Sequence, residues 1–358
     1  MKLQLDALDP LFFRDGRPFA LGEESYADGI FPPLPSTVRG ALRSMWMSER
    51  LGVPDADKDA LATASIGVEL EYFGLGIAGK PVFPAPLDLF FPKPEKGTPA
   101  QPMKLIDKIS ASSCPPKVSH LFKAEADGKT EPVHGHLLDF ETMQHYLNGD
   151  SSAPFETIRL SDLVKREHKI GIGRDRETNR TKEGLLFRLV ANRFEDEKHG
   201  GLSLLVELNA PESQPFKLAS HAVLPLGGER RSVTAKTTSV DLLPKRPKIQ
   251  GELLKIVLLT PALCNAWFPE IPGLTLVAAA VGKPVSVGGW DVLEQQPKPM
   301  RRAIPAGSVF LFQAESEAKA NEMAEQLHGE SLCSPGEDQK NGFGLCLVSQ
   351  LFNTQLPR

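Results

Sequence analysis

The sequence predicts an α+β chain of two ferredoxin-like (RRM-like) βαββαβ domains in tandem, residues 1–245 and 246–358, with an insertion at about 52–180 in the first. Three observations lead there. A helix-like segment, a glycine loop and a strand-like run follow one another twice, at 215–240 and at 316–348, which marks an internal repeat. The first half reads strand, helix, insertion, strand, strand, helix, strand. A Pro- and Lys-rich stretch, Leu243-Pro244-Lys245-Arg246-Pro247-Lys248, separates the halves.

Residues 2–8 alternate Leu3 and Leu5 against Lys2, Gln4 and Asp6, the period of a half-buried strand. Residues 9–19 form a compact turn that mixes Phe12, Phe13 and Phe19 with Arg14 and Arg17. Aromatic faces beside guanidinium groups suit the bases and phosphates of a single strand; Phe12 and Phe13 are equally read as core. Ser36 or Thr37 caps the next helix, where Val38, Ala41, Leu42, Met45 and Trp46 share one buried face. Arg39 and Arg43, four apart, share another face close to the helix start, whose N–H groups attract anions. The same spacing also fits two solvated arginines.

From 52 to about 160 the pattern loosens into prolines, short apolar runs and histidines, the mark of an insertion. His134 and His136, with His120 and His145 nearby, have no carboxylate or cysteine at ligand spacing, so no metal is expected there. The window 159–193 carries ten Lys/Arg against five Asp/Glu, opposite in sign to the whole chain. It reads as a basic hairpin or loop displaying His168, Lys169, Arg174 and Arg176. Gly171 and Gly173 start a dinucleotide-like fingerprint, but no third glycine follows and the setting is not strand then helix, so that reading is rejected. Residues 185–194 and 202–208 read as two strands around the turn Lys198-His199-Gly200-Gly201.

A helix is expected at 215–224, closed by Pro225, and a strand at 231–240. Between them Gly227 and Gly228 permit a tight backbone path, and Arg230 and Arg231 follow at once. Exposed N–H groups beside guanidinium forks suit phosphate or an RNA backbone; alone, the stretch is equally a plain turn with two solvated arginines. The second domain opens with a strand at 253–259. Strands at 285–289 and 307–312, a helix at 316–328 and a strand at 345–348 follow, and 274–281 is a poor candidate for its first helix. Gly342 and Gly344 form its glycine loop, and Arg301 and Arg302 stand just before a strand.

The totals narrow the class. The 358 residues suffice for two cores, and the composition is 41% hydrophobic and 24% charged, that of an ordinary globular protein. A net charge of −4 excludes wholesale binding of polyanions, so any nucleic-acid contact comes from local clusters. The four cysteines, Cys114, Cys264, Cys333 and Cys346, contain no C-x-x-C pair, which fits a reducing cytoplasm better than a zinc site or disulfide scaffold. The first ten residues lack the apolar core of a signal peptide, and no apolar run approaches the roughly 20 residues of a membrane span.

The stretches DPLFFRDGRPF, FPPLPSTVRGALRS, IGIGRDRETNRTKEGLLF, LPLGGERR, VSVGGWD, PMRRAIPAGSVFLF and NGFGLCLV resemble the third subunit of the Cmr-type, or type III-B, CRISPR effector complex, within the RAMP superfamily. They run from the first strand to the last. The resemblance implies a non-catalytic RNA-binding subunit without cofactor or metal. Such a subunit caps the 5′ handle of the guide RNA (crRNA). It bridges the large polymerase/cyclase-like subunit and the first of the repeated backbone subunits. Carried onto this chain, the RNA contacts are Arg14, Arg17, Ser36, Thr37, Arg39, Arg43, His168, Lys169, Arg174, Arg176, Gly227, Gly228, Arg230, Arg231, Arg301, Arg302, Gly342 and Gly344. The alternative is a RAMP endoribonuclease that processes guide-RNA precursor with His168 as general base beside Lys169. A metabolic enzyme has no support in a Walker lysine, a nucleophile elbow or a metal pattern.

Overall fold

The computed structural model describes residues 1–14, 26–27, 29–51, 61, 63–93, 95, 97–107, 118–175, 177–178, 180–194, 200–211, 215–216, 218, 222–291 and 296–355. The fold is mixed α/β, mostly antiparallel sheets with few helices. In chain order the main elements begin with β1 (Lys2–Ala7), α1 (Pro35–Leu51), β2 (Glu69–Ile77), β3 (Lys80–Pro84), β4 (His136–Asp139) and α2 (Phe140–Leu147). They continue with β5 (Val164–Arg174), β6 (Thr181–Phe194), β7 (Leu202–Asn209), β8 (Ala222–Pro225) and β9 (Ser232–Thr237). The last are β10 (Leu253–Leu258), β11 (Leu274–Ala280), β12 (Val309–Ala314), α3 (Glu317–Leu327) and β13 (Cys346–Gln350).

The chain forms two compact units, each built from three stretches. Unit 1 holds Met1–Gly79, Ser161–Ser239 and Ser286–Arg302; unit 2 holds Lys80–Leu160, Val240–Val285 and Ala303–Arg358. The loosely patterned stretch after α1 thus divides between them.

In unit 1 five strands stand in the order β2-β7-β1-β9-β8, every neighbour antiparallel. Leu5 of β1 lies between Leu204 and Ala235, all three buried. The period-2 pattern of β1 puts Leu3 and Leu5 on one face of the sheet, and both are buried. The α1 helix lies against β2 and β8 and buries Val38, Leu42 and Trp46, as its spacing predicts. Each such side chain stabilises by about 1.5–3 kcal/mol when fully removed from water.

Three expectations need correction here. Residues 222–225 are a strand, not the end of a helix. Ala222 and Leu224 are buried while Val223 and Pro225 are exposed, a period of two. Pro225 fits because β8 is an edge strand, where a missing N–H costs no ladder bond. The strands β6 and β7 do not pair with each other: β6 pairs with β5 and β7 with β1 and β2. Finally, Glu69–Ile77, assigned to the insertion, is a sheet strand paired along β7.

In unit 2 four strands stand in the order β11-β12-β10-β13, again all antiparallel. The segment 274–281, a poor helix by sequence, is the edge strand β11. Helix α3 starts as expected, with the Ser316 hydroxyl accepting from the Lys319 N–H at 3.2 Å. The two faces of β13 meet different helices. Cys346 donates through its thiol to the Leu327 carbonyl at the end of α3, and burial pushes that thiol above the ordinary range. Ser349, on the opposite face, donates to the Tyr146 carbonyl of α2. The sheet is therefore covered by α3 on one side and by α2, from the Lys80–Leu160 stretch, on the other.

Under α2 lies a fully buried ion pair. Lys255 of β10 and Asp88 are both 0% exposed and 3.0 Å apart. The Tyr146 hydroxyl donates to Asp88 Oδ1 at 2.6 Å, and Gln355 Nε2 donates to Asp88 Oδ2 at 3.3 Å. The ammonium stands 4.3 Å from the Tyr146 ring centroid and 4.0 Å from that of Phe352. Burial holds the Lys255 ammonium below the ordinary lysine range against the opposing pull of Asp88, and raises the Tyr146 phenol well above its usual value. Removing one partner leaves an unpaired buried charge. Lys255→Met is expected to destabilise the protein by about 3–5 kcal/mol in urea unfolding, and Lys255→Met with Asp88→Leu to recover most of that loss.

Candidate nucleic-acid interface

The turn after β1 is fixed at both ends by backbone hydrogen bonds. The Leu8 N–H donates to the Ser232 carbonyl of β9. Leu11 and Asn192 of β6 exchange N–H and C=O at 2.8 and 2.7 Å. Phe12 and Phe13 are buried, Phe12 against Leu189 and Ala191 of β6, so they are core and not stacking platforms. Arg14 is exposed beyond them and bridges to Gly29. Arg17 lies outside the described residues.

The glycine loop joins β8 to β9 and sits on this turn. The Gly228 N–H donates to the Phe12 carbonyl at 2.8 Å. Leu226 N–H donates to the Arg231 carbonyl at 2.8 Å, and Arg231 N–H to the Gly228 carbonyl at 3.4 Å. Glu229 and Arg230 have φ of +59° and +53°, the paired positive φ of a type I′ turn, the hairpin turn whose twist matches two antiparallel strands. Gly227 has φ +82°, and a Cβ there would stand 2.4 Å from the Phe12 carbonyl oxygen. Glycine is thus dictated by close approach to the turn, and the approach aims the next two side chains. Arg230 is exposed. Arg231 is half-buried, with Nη1 3.9 Å from the Asp9 carboxylate.

The hairpin β5–β6 leaves the same place. Its register runs from Val164↔Phe194 to Ile172↔Leu186, with a shift before Arg174↔Thr181. Alternation puts His168, Ile170, Ile172 and Arg174 on one exposed face, with the isoleucines 66% and 48% exposed. Lys169 lies on the other face, 3.3 Å from Glu167. Arg193 also pairs with Glu167, and its hydrogen bond holds that carboxyl below the ordinary range. Lys169 is therefore half of a surface ion pair and does not share the His168 face. Arg176 lies outside the described residues. The exposed isoleucines were missed in the sequence, although H-K-I-G-I-G-R carries them in alternation between His168 and Arg174.

The helix start departs from expectation. The α1 helix begins at Pro35, so Ser36 and Thr37 fall inside its first turn, and the Thr37 N–H donates to the Leu34 carbonyl. Arg39 is 1% exposed. It donates to the Val68 carbonyl at 2.7 Å and the Ile66 carbonyl at 2.8 Å, so it anchors the helix to the chain entering β2 and offers no phosphate contact. Arg43 is half-buried and donates to the Ser65 hydroxyl at 3.0 Å. Arg301 and Arg302 are exposed on the short strand Arg301–Ala303.

The second glycine loop is also corrected. Gly342 and Gly344 are buried in unit 2. The Thr260 hydroxyl donates to the Gly342 carbonyl at 2.8 Å, and Gly344 N–H donates to the Pro261 carbonyl at 2.8 Å. A Cβ on Gly344 would meet Cys333 Sγ at 2.8 Å. These glycines serve close packing, and their polar groups face inward.

Unit 1 thus brings Arg14, Gly227, Gly228, Arg230, Arg231 and the root of the hairpin onto one turn, while Arg39, Gly342 and Gly344 are structural. This mostly antiparallel α/β fold is similar to that of chains solved in type III-B CRISPR effector complexes. A chain of the type III-B Cmr-beta complex bound to cognate target RNA and AMPPnP matches at TM-score 0.52 and 16% identity, over 91% of this chain and 89% of that one. A chain of Cmr-beta bound to cognate target RNA matches at TM-score 0.51 and 16% identity, over 87% and 86%. Among curated proteins no sequence relative matches. The family model of the CRISPR-associated protein Cas_Cmr3 matches residues 3–351, and the chain belongs to that family.

The turn geometry sets an expected contrast in stability. Gly227→Ala places Cβ against the Phe12 carbonyl at positive φ and is expected to cost about 1–3 kcal/mol in urea unfolding. Gly40→Ala in α1, where nothing lies within 4 Å, is expected to stabilise by about 0.5–1 kcal/mol.

Proposed function

We propose that this chain is a non-catalytic, RNA-binding subunit of a type III-B CRISPR effector complex that caps the 5′ handle of the guide RNA. In this reading it also bridges the large polymerase/cyclase-like subunit to the backbone subunits, in the cytoplasm. The observation that carries it is the convergence on the Phe12 turn of the glycine loop, its two arginines and the root of the basic hairpin. Backbone N–H groups of Gly227, Glu229 and Arg230 have no backbone partner among the described residues, so they and the Arg230 guanidinium are available to a phosphate. His168, Ile170, Ile172 and Arg174 extend the surface along the hairpin. Ser36, Thr37, Arg43, Arg301 and Arg302 are supporting contacts.

The strand orders support two ferredoxin-like sheets, one with its four strands within 1–245 and one with its four within 246–358. Numbered along the chain, β1, β2, β7 and β9 stand 2-3-1-4, and so do β10, β11, β12 and β13, the order of a βαββαβ sheet. The first has α1 between its first two strands, and the second has α3 between its last two. Among the described residues no helix is long and apolar enough to cross a membrane.

The endoribonuclease reading needs a general base with a positioned partner. His168 stands exposed, with Lys169 on the opposite face, and no ring hydrogen bond is formed among the described residues.

Co-expression with its neighbouring genes and a CRISPR array, followed by sequencing of the co-purified RNA, tests the proposal. Short RNAs with one fixed 5′ end, arriving with a large multi-domain subunit, are expected. Arg230→Ala with Arg231→Ala is expected to weaken their retention and flatten its salt dependence. Equal retention across a salt series excludes those two residues. His168→Ala is expected to leave the 5′ ends unchanged, and unprocessed precursor in that variant would favour the nuclease.

A further inference from the structure

The stretch between the two halves has the composition of a spacer but is held in a fixed path within unit 2. The Gln144 side chain of α2 grips Lys245 twice. Its Oε1 accepts the Lys245 N–H at 2.7 Å, and its Nε2 donates to the Lys245 carbonyl at 2.9 Å. Four residues on, Asn321 of α3 grips Ile249 in the same way, at 3.0 and 2.8 Å. The His328 Nε2 reaches the Pro244 carbonyl at 2.9 Å while its Nδ1 accepts the Val348 N–H at 3.2 Å. Pro244, Pro247 and Ile249 are buried, and Lys245, Arg246 and Lys248 are exposed. None of these three cations makes an ion pair among the described residues. Residues 243–248 carry three cations and no acid in a chain of net charge −4.

A backbone already held in place needs no further ordering on binding, so the two amide grips lower the cost of presenting these charges to a ligand. The chemistry of the ridge selects the class of ligand. Protein interfaces gain affinity from an apolar centre that is stripped of water, ringed by a polar rim. Here the prolines and the isoleucine face inward and only cations face out, so the ridge offers a rim without a centre. No aromatic or apolar side chain belongs to its exposed side, so it has no means of reading a base. A phosphate backbone needs nothing beyond a line of cations.

We propose that Lys245, Arg246 and Lys248 form a pre-set cationic ridge that binds the phosphate backbone of a nucleic acid without regard to base sequence. The proposal shares with the functional reading only the class of partner; it concerns other residues and needs no handle.

The test uses the purified full chain, labelled oligouridine and oligoadenosine, and fluorescence anisotropy across a salt series. Lys245→Ala/Arg246→Ala/Lys248→Ala is expected to weaken binding of both oligomers about tenfold or more at low salt. It should reduce the slope of log K against log salt by about 2, since each phosphate on a single strand contributes about 0.7. Lys245→Arg/Lys248→Arg is expected to keep the slope. Gln144→Ala removes a grip but no charge, and is expected to weaken binding with the slope retained. An unchanged slope in the triple variant overturns the proposal, as does a loss confined to one homopolymer. So does retention of both oligomers with loss of a protein subunit on co-purification, which would assign the ridge to an acidic protein. If the intact chain binds neither oligomer at the lowest salt, the ridge reading fails while the handle reading stands on its own co-purification result. If no fixed 5′ end is found but the slope still falls, the reverse holds.

Discussion

The buried pair of Asp88 and Lys255 is the constraint on which unit 2 depends. Two charges removed from water are tolerable only when each is answered, and here every neighbour answers. Tyr146 and Gln355 donate to the carboxylate, and two aromatic faces receive the ammonium. The four polar partners come from four separate places in the chain. That requirement constrains register, because a shift of one residue in β10 would turn Lys255 to the other face of its sheet. It also explains why Lys80–Leu160 belongs to the same compact unit as the C-terminal strands.

Unit 1 rests on a smaller device. One carbonyl, that of Phe12, receives the Gly228 N–H and excludes any side chain at Gly227. The turn, the β8–β9 hairpin and, through Leu11 and Asn192, the basic hairpin are thereby fixed to one another. Two consecutive residues in the left-handed region are the local cost of that arrangement, and they direct Arg230 outward. The apolar work is done underneath by Phe12, Leu189 and Ala191. Guanidinium groups on this surface are thus positioned by backbone and core.

Periodicity made β1 and α1 legible in the sequence, down to the buried face of Val38, Leu42 and Trp46, and the runs at 253–259, 316–328 and 345–348 gave β10, α3 and β13. Reading failed where the deciding contact lies far along the chain. Arg39 has the spacing of a surface arginine, and nothing nearby reveals the carbonyls of Ile66 and Val68 that bury it. The second glycine loop matches the first in residues but not in environment, since Thr260 and Cys333 enclose it. Pro225 looks like a helix terminator because proline is tolerated both after a helix and on an edge strand. Glu69–Ile77 was hidden by the prolines and polar runs around it, although E-L-E-Y alternates.

The interleaving of the two units has a consequence for the order of events at the ribosome. Asp88 and Tyr146 emerge well before Lys255, and the strand at 346–350 emerges later still. At ordinary synthesis rates the interval between Asp88 and Gln355 is on the order of tens of seconds. Until Lys255 arrives Asp88 lacks its cation, and until β13 arrives α2 is covered only where it packs on β3 and β4. A stall before β13 would therefore leave the β13-facing side of α2 uncovered.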